Sequence, residues 1–257
     1  MRSILRLISY ATAHAPAQTA LRACSRAANY LRGMGSGAGV NSSGESGVFR
    51  LLSPRCVLFD VGANRGDYAH AAITAIPSAD LHCFEPSKKA FTILSSRMQG
   101  TRTTLNNIGL GEQDSSKTLF SPSDGSELAS LSKRNLDHFG INMNHEQTVK
   151  IKTLDDYCSE RNIGKIDLLK IDVEGHEMSV LKGGMRMLTQ RSIKMIVFEF
   201  GGGNIDSRTF FQDFYYLFQR SDANSISRII PSGHLVPVNQ YTEDLEYFQT
   251  TNYLVQF

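Results

Sequence analysis

The sequence predicts a doubly wound α/β fold on a mostly parallel sheet, preceded by an N-terminal helical extension. Three observations predict it. From residue 51 onward, apolar runs of strand length alternate with helical stretches; near-continuous apolar strands of this kind are buried on both faces by helices. Four of these runs end in acids, Asp60, Glu85, Asp172 and Glu199. The first fifty residues have a different composition, with six Arg, no Lys and one acid, Glu45.

"SILRLISYATAHA" and "AQTALRACSRAANYLRG" have apolar residues at helical spacing, with Pro16 between them. "GMGSGAGVNSSGESG" is Gly/Ser-rich and reads as a flexible linker. The expected division is a basic, Ala-rich helical arm with its linker over 1–48 and a catalytic-type domain over 49–257. Arg6 interrupts any apolar signal core. An organelle transit peptide, an arm contacting a membrane surface or a partner through residues 1–33, and a tail packed on the domain stay open.

In the domain, Cys56–Val61 reads as a first strand, and a helix after it stops at Pro77. Asp80–Glu85 is a second strand, followed by a helix through "KKAFTILSSRM" that ends at Gly100. "TTLNNIGL" is a third strand. Residues 111–165 form an insertion expected to cap the carboxyl edge of the sheet. Within it, Thr153 with Asp156 three residues on signals a helix start. Ile166–Asp172 and Ile193–Phe200 are strands, with the helical "HEMSVLKGGMRML" between them. "SRTFFQDFYYLFQR" is an amphipathic helix, and "SISRII" and "NYLVQF" are two late strands.

Lys+Arg (27) and Asp+Glu (25) nearly balance, so no nucleic-acid partner is expected. The four Cys lack metal spacing and suit a reducing, cytoplasmic setting. No apolar stretch reaches transmembrane length.

Ligands of open α/β sheets bind outside the carboxyl ends of the strands, so the four acids converge on one crevice. "DVGANRG" supplies a glycine turn there. A dinucleotide site needs G-x-G-x-x-G and no acid aimed at its pyrophosphate; this turn is G-x-N-x-G, behind Asp60. No GKS or GKT is present. S-adenosylmethionine carries no phosphate and two cationic centres. Asp60 can meet its methionine end, Gly62 and Gly66 let the backbone approach, Asn64 offers an amide, and Glu85 suits the ribose hydroxyls. An NAD-dependent oxidoreductase and a catalytically inactive scaffold of the same fold are the alternatives.

"FDVGANRGDY", "CFEPS", "NNIGLGE", "KTLDDYC" and "IDLLKIDVEGHEMSVLKGG" occur in this order, and over about residues 56–200 the chain resembles the FkbM family of S-adenosylmethionine-dependent methyltransferases. The resemblance implies a class I methyltransferase-like Rossmann fold: a seven-stranded sheet of order 3-2-1-4-5-7-6, its last strand antiparallel. It implies O-methylation of a sugar, glycan, glycolipid or polyketide-like hydroxyl. It carries over Asp60, Gly62, Asn64, Gly66 and Glu85 as cofactor residues and places Asn107 and Gly109 near the adenine.

Methyl transfer to oxygen needs a positioned hydroxyl and one general base. "KIDVEGHE" brings Lys170, Asp172, Glu174 and His176 to a strand exit, with Glu199 on the next strand. His176 near a helix N-terminus is expected to stay a neutral base. Asp172 and Glu199 could instead hold Mg²⁺, but no third ligand is evident, and no metal site is assigned.

Overall fold

The structure is a computed structural model and describes residues 2–257; Met1, the first residue of the expected arm, lies outside the described residues. The chain opens with α1 (Arg2–Ala11) and α2 (Ala15–Leu31). The domain follows with β1 (Val57–Val61), α3 (Asp67–Ala75), β2 (Asp80–Phe84), α4 (Lys88–Arg97) and β3 (Thr103–Asn106). The insertion contributes β4 (Gly109–Leu110), β5 (Ser115–Ser121), β6 (His145–Lys152) and α5 (Leu154–Glu160). Then come β7 (Leu168–Ile171), α6 (Glu177–Lys182), α7 (Met185–Thr189), β8 (Met195–Phe200), α8 (Gly203–Ser207) and α9 (Phe211–Arg220). The chain closes with β9 (Ser225–Ile229), β10 (Leu235–Pro237) and β11 (Thr251–Gln256).

The main sheet has the order β10-β9-β11-β8-β7-β1-β2-β3. Read from β3, its first seven members follow the expected 3-2-1-4-5-7-6 order, and β11 runs antiparallel to both neighbours. The expected seven strands become eight because β10 folds back on β9 as a short hairpin. Period-2 alternation sends neighbouring residues to opposite faces. Phe198, Phe200 and Tyr253 pack under α9 with Phe211, Phe214 and Phe218, and Phe59 packs on the same face against Phe84 and Tyr157. Leu58, Val197 and Leu254 pack on the other face with Tyr68, Ala69 and Leu94. Both faces are thus apolar and both are covered by helices.

Two further differences from the sequence reading concern backbone crowding. The expected helix over 176–188 is two helices, because a Cβ at Gly183 would overlap the Gly111 carbonyl and the chain must turn past it. "TTLNNIGL" splits between β3 in the main sheet and β4 in a second sheet of order β4-β6-β5. Thr153 caps α5, its Oγ1 accepting the Asp156 N–H at 3.0 Å.

The Gly/Ser segment 33–48 is not a free linker. Met34, Ser36, Ser43, Glu45 and Val48 are buried. The Gly37 N–H donates to the Thr250 carbonyl (2.9 Å), and Asn252 Nδ2 donates back to the Gly37 carbonyl (3.3 Å). Glycine serves close approach here rather than looseness: a Cβ on Gly44, whose φ is 85°, would overlap the Ile230 carbonyl. A 3-10 turn, Glu45–Leu51, then seats Val48 and Phe49 against α3, a burial worth roughly 1.5–3 kcal/mol per side chain. By contrast α2 buries no residue. No helix of the described residues is long and apolar enough to cross a membrane.

Candidate active site

Strand order reverses between β1 and β7, and a cavity of about 430 Å³ opens at their carboxyl ends. Gly62 leaves β1 in the left-handed region (φ 83°), where any Cβ would strike the Asp172 carbonyl. The Gly62 and Ala63 N–H groups both donate to the Phe84 carbonyl (3.0 Å each), which ties the β1 exit to the β2 exit. Asn64, also at positive φ (47°), leaves its Oδ1 buried without a partner on the cavity wall.

Glu85 stands just past β2. Its Oε2 accepts the Asn64 N–H (2.8 Å) and its Oε1 accepts the Ser87 N–H (2.7 Å). The acid therefore already shapes the glycine turn, and each oxygen keeps a second lone pair for a ligand hydroxyl. Burial pushes its pKa up to about 7, against the pull of those two N–H groups.

Beside the turn, Lys170 stands in register with Asp60 across β1 and β7. Its Nζ lies 3.1 Å from Asp172 Oδ2 and 3.5 Å from Asp60 Oδ1. Burial opposes its charge, but Asp172, Asp60 and Glu45 outweigh burial and hold its pKa well above the ordinary lysine value. Lys170 is thus a fixed cation and not a base. No group of three or more His, Cys, Asp or Glu among the described residues is arranged to hold a metal ion.

Glu174 is ion-paired with Arg134, which also reaches Asp206 at 3.4 Å. Its pKa rises to about 7, first through burial and then through Asp172. Burial, and next the charge of Asp172, push Glu199 well above the carboxylate range. His176 is the N-cap of α6, with Nε2 buried and unpartnered. Burial and the charge of Lys117 lower its pKa to about 4. It is neutral, as expected, but burial rather than the helix dipole is the main cause, and it is a weak base. Glu177 accepts the Val173 (3.1 Å) and Gly175 (3.0 Å) N–H groups and so fixes the loop that carries these residues.

Of the residues singled out in the sequence, Gly62, Asn64, Glu85, Gly109, Lys170, Asp172, Glu174, His176 and Glu199 line the cavity. Three lie off its wall. Asp60 is fully buried behind Lys170 (0% exposed), with no hydrogen bond to either oxygen. Gly66 faces Leu94 and starts α3. Asn107 is exposed, and its amide holds the Glu85 and Pro86 carbonyls instead of facing an adenine. Sequence reasoning missed Gly37–Val40 and Glu45, which form one wall, and Tyr68 and Arg134. The only signal was a lone acid following a glycine run. The insertion adds Leu119, Leu128, Ala129 and Leu131 to the opposite wall.

Residues 60–224 match the model of the Methyltransferase FkbM domain. The chain is 29% identical over 154 residues to the 2-O-methyltransferase NoeI of Sinorhizobium fredii, covering 56% of this chain and 63% of that protein. It is 30% identical over 165 residues to the hexuronic acid methyltransferase AglP of Haloferax volcanii, covering 62% of this chain and 64% of that protein. The matches thus span less than two thirds of either relative. The solved structure of methyltransferase FkbM from Methylobacillus flagellatus aligns at a TM-score of 0.48 and 18% identity, over 79% of this chain and 44% of that one. With the family domain matched over more than half its length, the chain belongs to the FkbM methyltransferase family.

Proposed function

We propose that the protein is an S-adenosylmethionine-dependent O-methyltransferase acting on a hydroxyl of a sugar, glycan, glycolipid or related small acceptor. The observation that carries this reading is the acid-walled cavity at the sheet reversal, where Gly62 admits no side chain and Asn64 Oδ1 waits unpaired. A dinucleotide pyrophosphate would be repelled by such walls. A cationic, phosphate-free nucleoside fits them. Glu85 and Asn64 suit its ribose, and Gly109 and Leu110 line the same end. Membership of the FkbM family and the named activities of NoeI and AglP support a sugar-type acceptor.

The bound donor supplies an electrophilic methyl group and departs as a neutral thioether, so the site needs no acid for the leaving group. What the chain must supply is position and one proton acceptor. Asp172 is that acceptor: it faces the cavity, and Lys170 fixes its carboxylate from behind. Glu199, whose carboxyl burial and the charge of Asp172 hold well above the ordinary carboxylate range, faces the acceptor from the next strand. His176 offers Nε2 to a second hydroxyl. Arg134, neutralised by Glu174 and Asp206, anchors the insertion over the opening and sheds water from the site.

Calorimetric titration with S-adenosylmethionine, S-adenosylhomocysteine and NAD tests the cofactor, and labelled methyl transfer to a glycan panel tests the acceptor. The first two ligands should bind and NAD should not. Binding of NAD alone would overturn the reading, and donor binding without transfer to any hydroxyl acceptor would leave an inactive scaffold.

A further inference from the structure

The cavity has a wall that does not come from the family domain. The domain match begins at residue 60, yet Gly37, Ala38, Gly39, Val40 and Glu45 line the cavity. Their placement is built in. The segment is clamped to β11 through Gly35 N–H to Thr251 Oγ1 (3.1 Å) and Gly37 N–H to the Thr250 carbonyl (2.9 Å). Beyond Glu45 it is pinned by Phe49, whose ring meets Tyr68 edge-on at 5.2 Å.

Glu45 is 5% exposed and no basic side chain among the described residues pairs with it. Lys170 acts on it, but that ammonium is already committed to Asp172 and Asp60. Asp172 and Asp60 take up the one cation at close range, and Glu45 feels it without a direct contact. Buried charge left uncompensated in this way is costly, so the site is suited to a further cation. A second, independent group points the same way. Tyr68 is buried (3% exposed) and lines the cavity, and its hydroxyl has no partner. Glu45 accepts and Tyr68 donates, which is the complement of an ammonium and a carboxylate on one carbon. Asp60, the acid expected at this place from the sequence, is sealed behind Lys170 and off the wall.

We propose that Glu45, delivered by the N-terminal segment, is a donor-binding residue whose carboxylate receives the α-ammonium of the methionine end of S-adenosylmethionine, with the Tyr68 hydroxyl on the neighbouring α-carboxylate. This rests on the donor reading above. Glu85 and Asn64 hold the nucleoside end, and the N-terminal segment closes the amino-acid end. The part of the chain outside the family domain thus completes the cofactor site.

Two ligands separate this role from a structural one. S-adenosylhomocysteine has the amino-acid end, and methylthioadenosine keeps the nucleoside and thioether but lacks it. In calorimetric titrations of the full chain, Glu45→Gln should weaken S-adenosylhomocysteine binding at least about tenfold and leave methylthioadenosine within about twofold of wild type. Equal losses for both ligands, or no loss for S-adenosylhomocysteine, overturn the proposal. If Glu45→Gln does not fold, Glu45→Asp, which withdraws the same charge by one methylene, takes the same two titrations, with selective loss expected and parallel loss or no loss overturning. Wild-type protein that binds neither ligand overturns the donor reading itself, and this inference with it.

Discussion

Lys170 and Asp60 stand opposite one another in the register of two parallel strands, Nζ 3.5 Å from Oδ1, and neither Asp60 oxygen accepts a hydrogen bond. The aspartate that the sequence marks as a ligand group is thus the foundation of the lysine that positions Asp172. Lys170→Met removes the one cation among these acids and leaves Asp60 unpaired. Breaking a buried pair from one side costs about 3–5 kcal/mol. Denaturant unfolding of Lys170→Met should show that loss, and adding Asp60→Asn should recover a large part of it. Additive losses in the double variant would show that the two side chains do not act as a pair.

The acids of the site set the pH dependence of stability. Burial raises Glu45, Glu85, Glu174 and Glu177 to about 7 in the folded chain. A carboxyl whose folded pKa is raised contributes stability below its unfolded value and loses it as pH climbs through the folded one. The lowered His176 and His82 have the opposite sign, but they act only below the ordinary histidine pKa of about 6.5. Between about pH 6.5 and 8 the four glutamates are unopposed by these histidines, and together they should cost about 3 kcal/mol. Urea unfolding of the ligand-free protein across that window checks it; rising stability would contradict the burial of these groups. S-adenosylmethionine should flatten the slope, because its ammonium favours ionised Glu45.

Turnover should separate Asp172 from His176. Asp172→Asn is expected to keep donor affinity and to lower kcat about 10²-fold or more, the effect of losing a general base. His176→Ala should cost about tenfold or less, because a base held near pKa 4 has little driving force at neutral pH. The pH–rate profile should accordingly show no limb near pH 6.5 that His176→Ala removes. EDTA should leave turnover unchanged, since the Lys170 ammonium sits against Asp172 at 3.1 Å. Activity lost to EDTA and restored by Mg²⁺ would reassign Asp172 and Glu199 as metal ligands.

The centre of the main sheet was legible because β1, β2, β7 and β8 are near-continuous apolar runs that stop at an acid or a glycine, and continuity of that kind survives without any knowledge of neighbours. The crevice was legible for the same reason: Glu85, Asp172 and Glu199 fall at strand ends whatever the packing. Depth was not legible. Asp60 and Lys170 look like wall residues in the sequence, and only the register between β1 and β7 places Asp60 behind the lysine. Asn107 stands two residues before Gly109, yet it turns away to hold carbonyls. The largest misreading was segment 33–48, since a glycine-rich run has the same composition whether it is loose or pressed against another backbone. Gly37 and Gly44 are of the second kind, and their contacts lie about 200 residues away along the chain.

That difference between the two parts of the N-terminal region gives the last prediction. α2 buries nothing, whereas Met34, Ser36, Ser43 and Glu45 are buried. A chain beginning at Gly33 should therefore melt within a few degrees of the full chain and bind S-adenosylmethionine equally well. A chain beginning at Gly47 loses those four buried residues and the clamp on β11. Its melting temperature should fall by roughly 5 °C or more, the shift expected for about 2 kcal/mol in a domain of this size, and donor affinity should fall at least about tenfold. The full chain and the chain from Gly33 together locate any membrane contact. α1 and α2 expose Ile4, Leu5, Ile8, Leu21 and Leu31 next to Arg6, Arg22 and Arg26, a combination suited to an anionic lipid surface. The full chain should co-sediment with anionic vesicles, more weakly at high salt, and the chain from Gly33 should not. Equal sedimentation of both would remove the arm from that role, and a chain from Gly47 as stable as the full one would return 33–46 to the status of a linker.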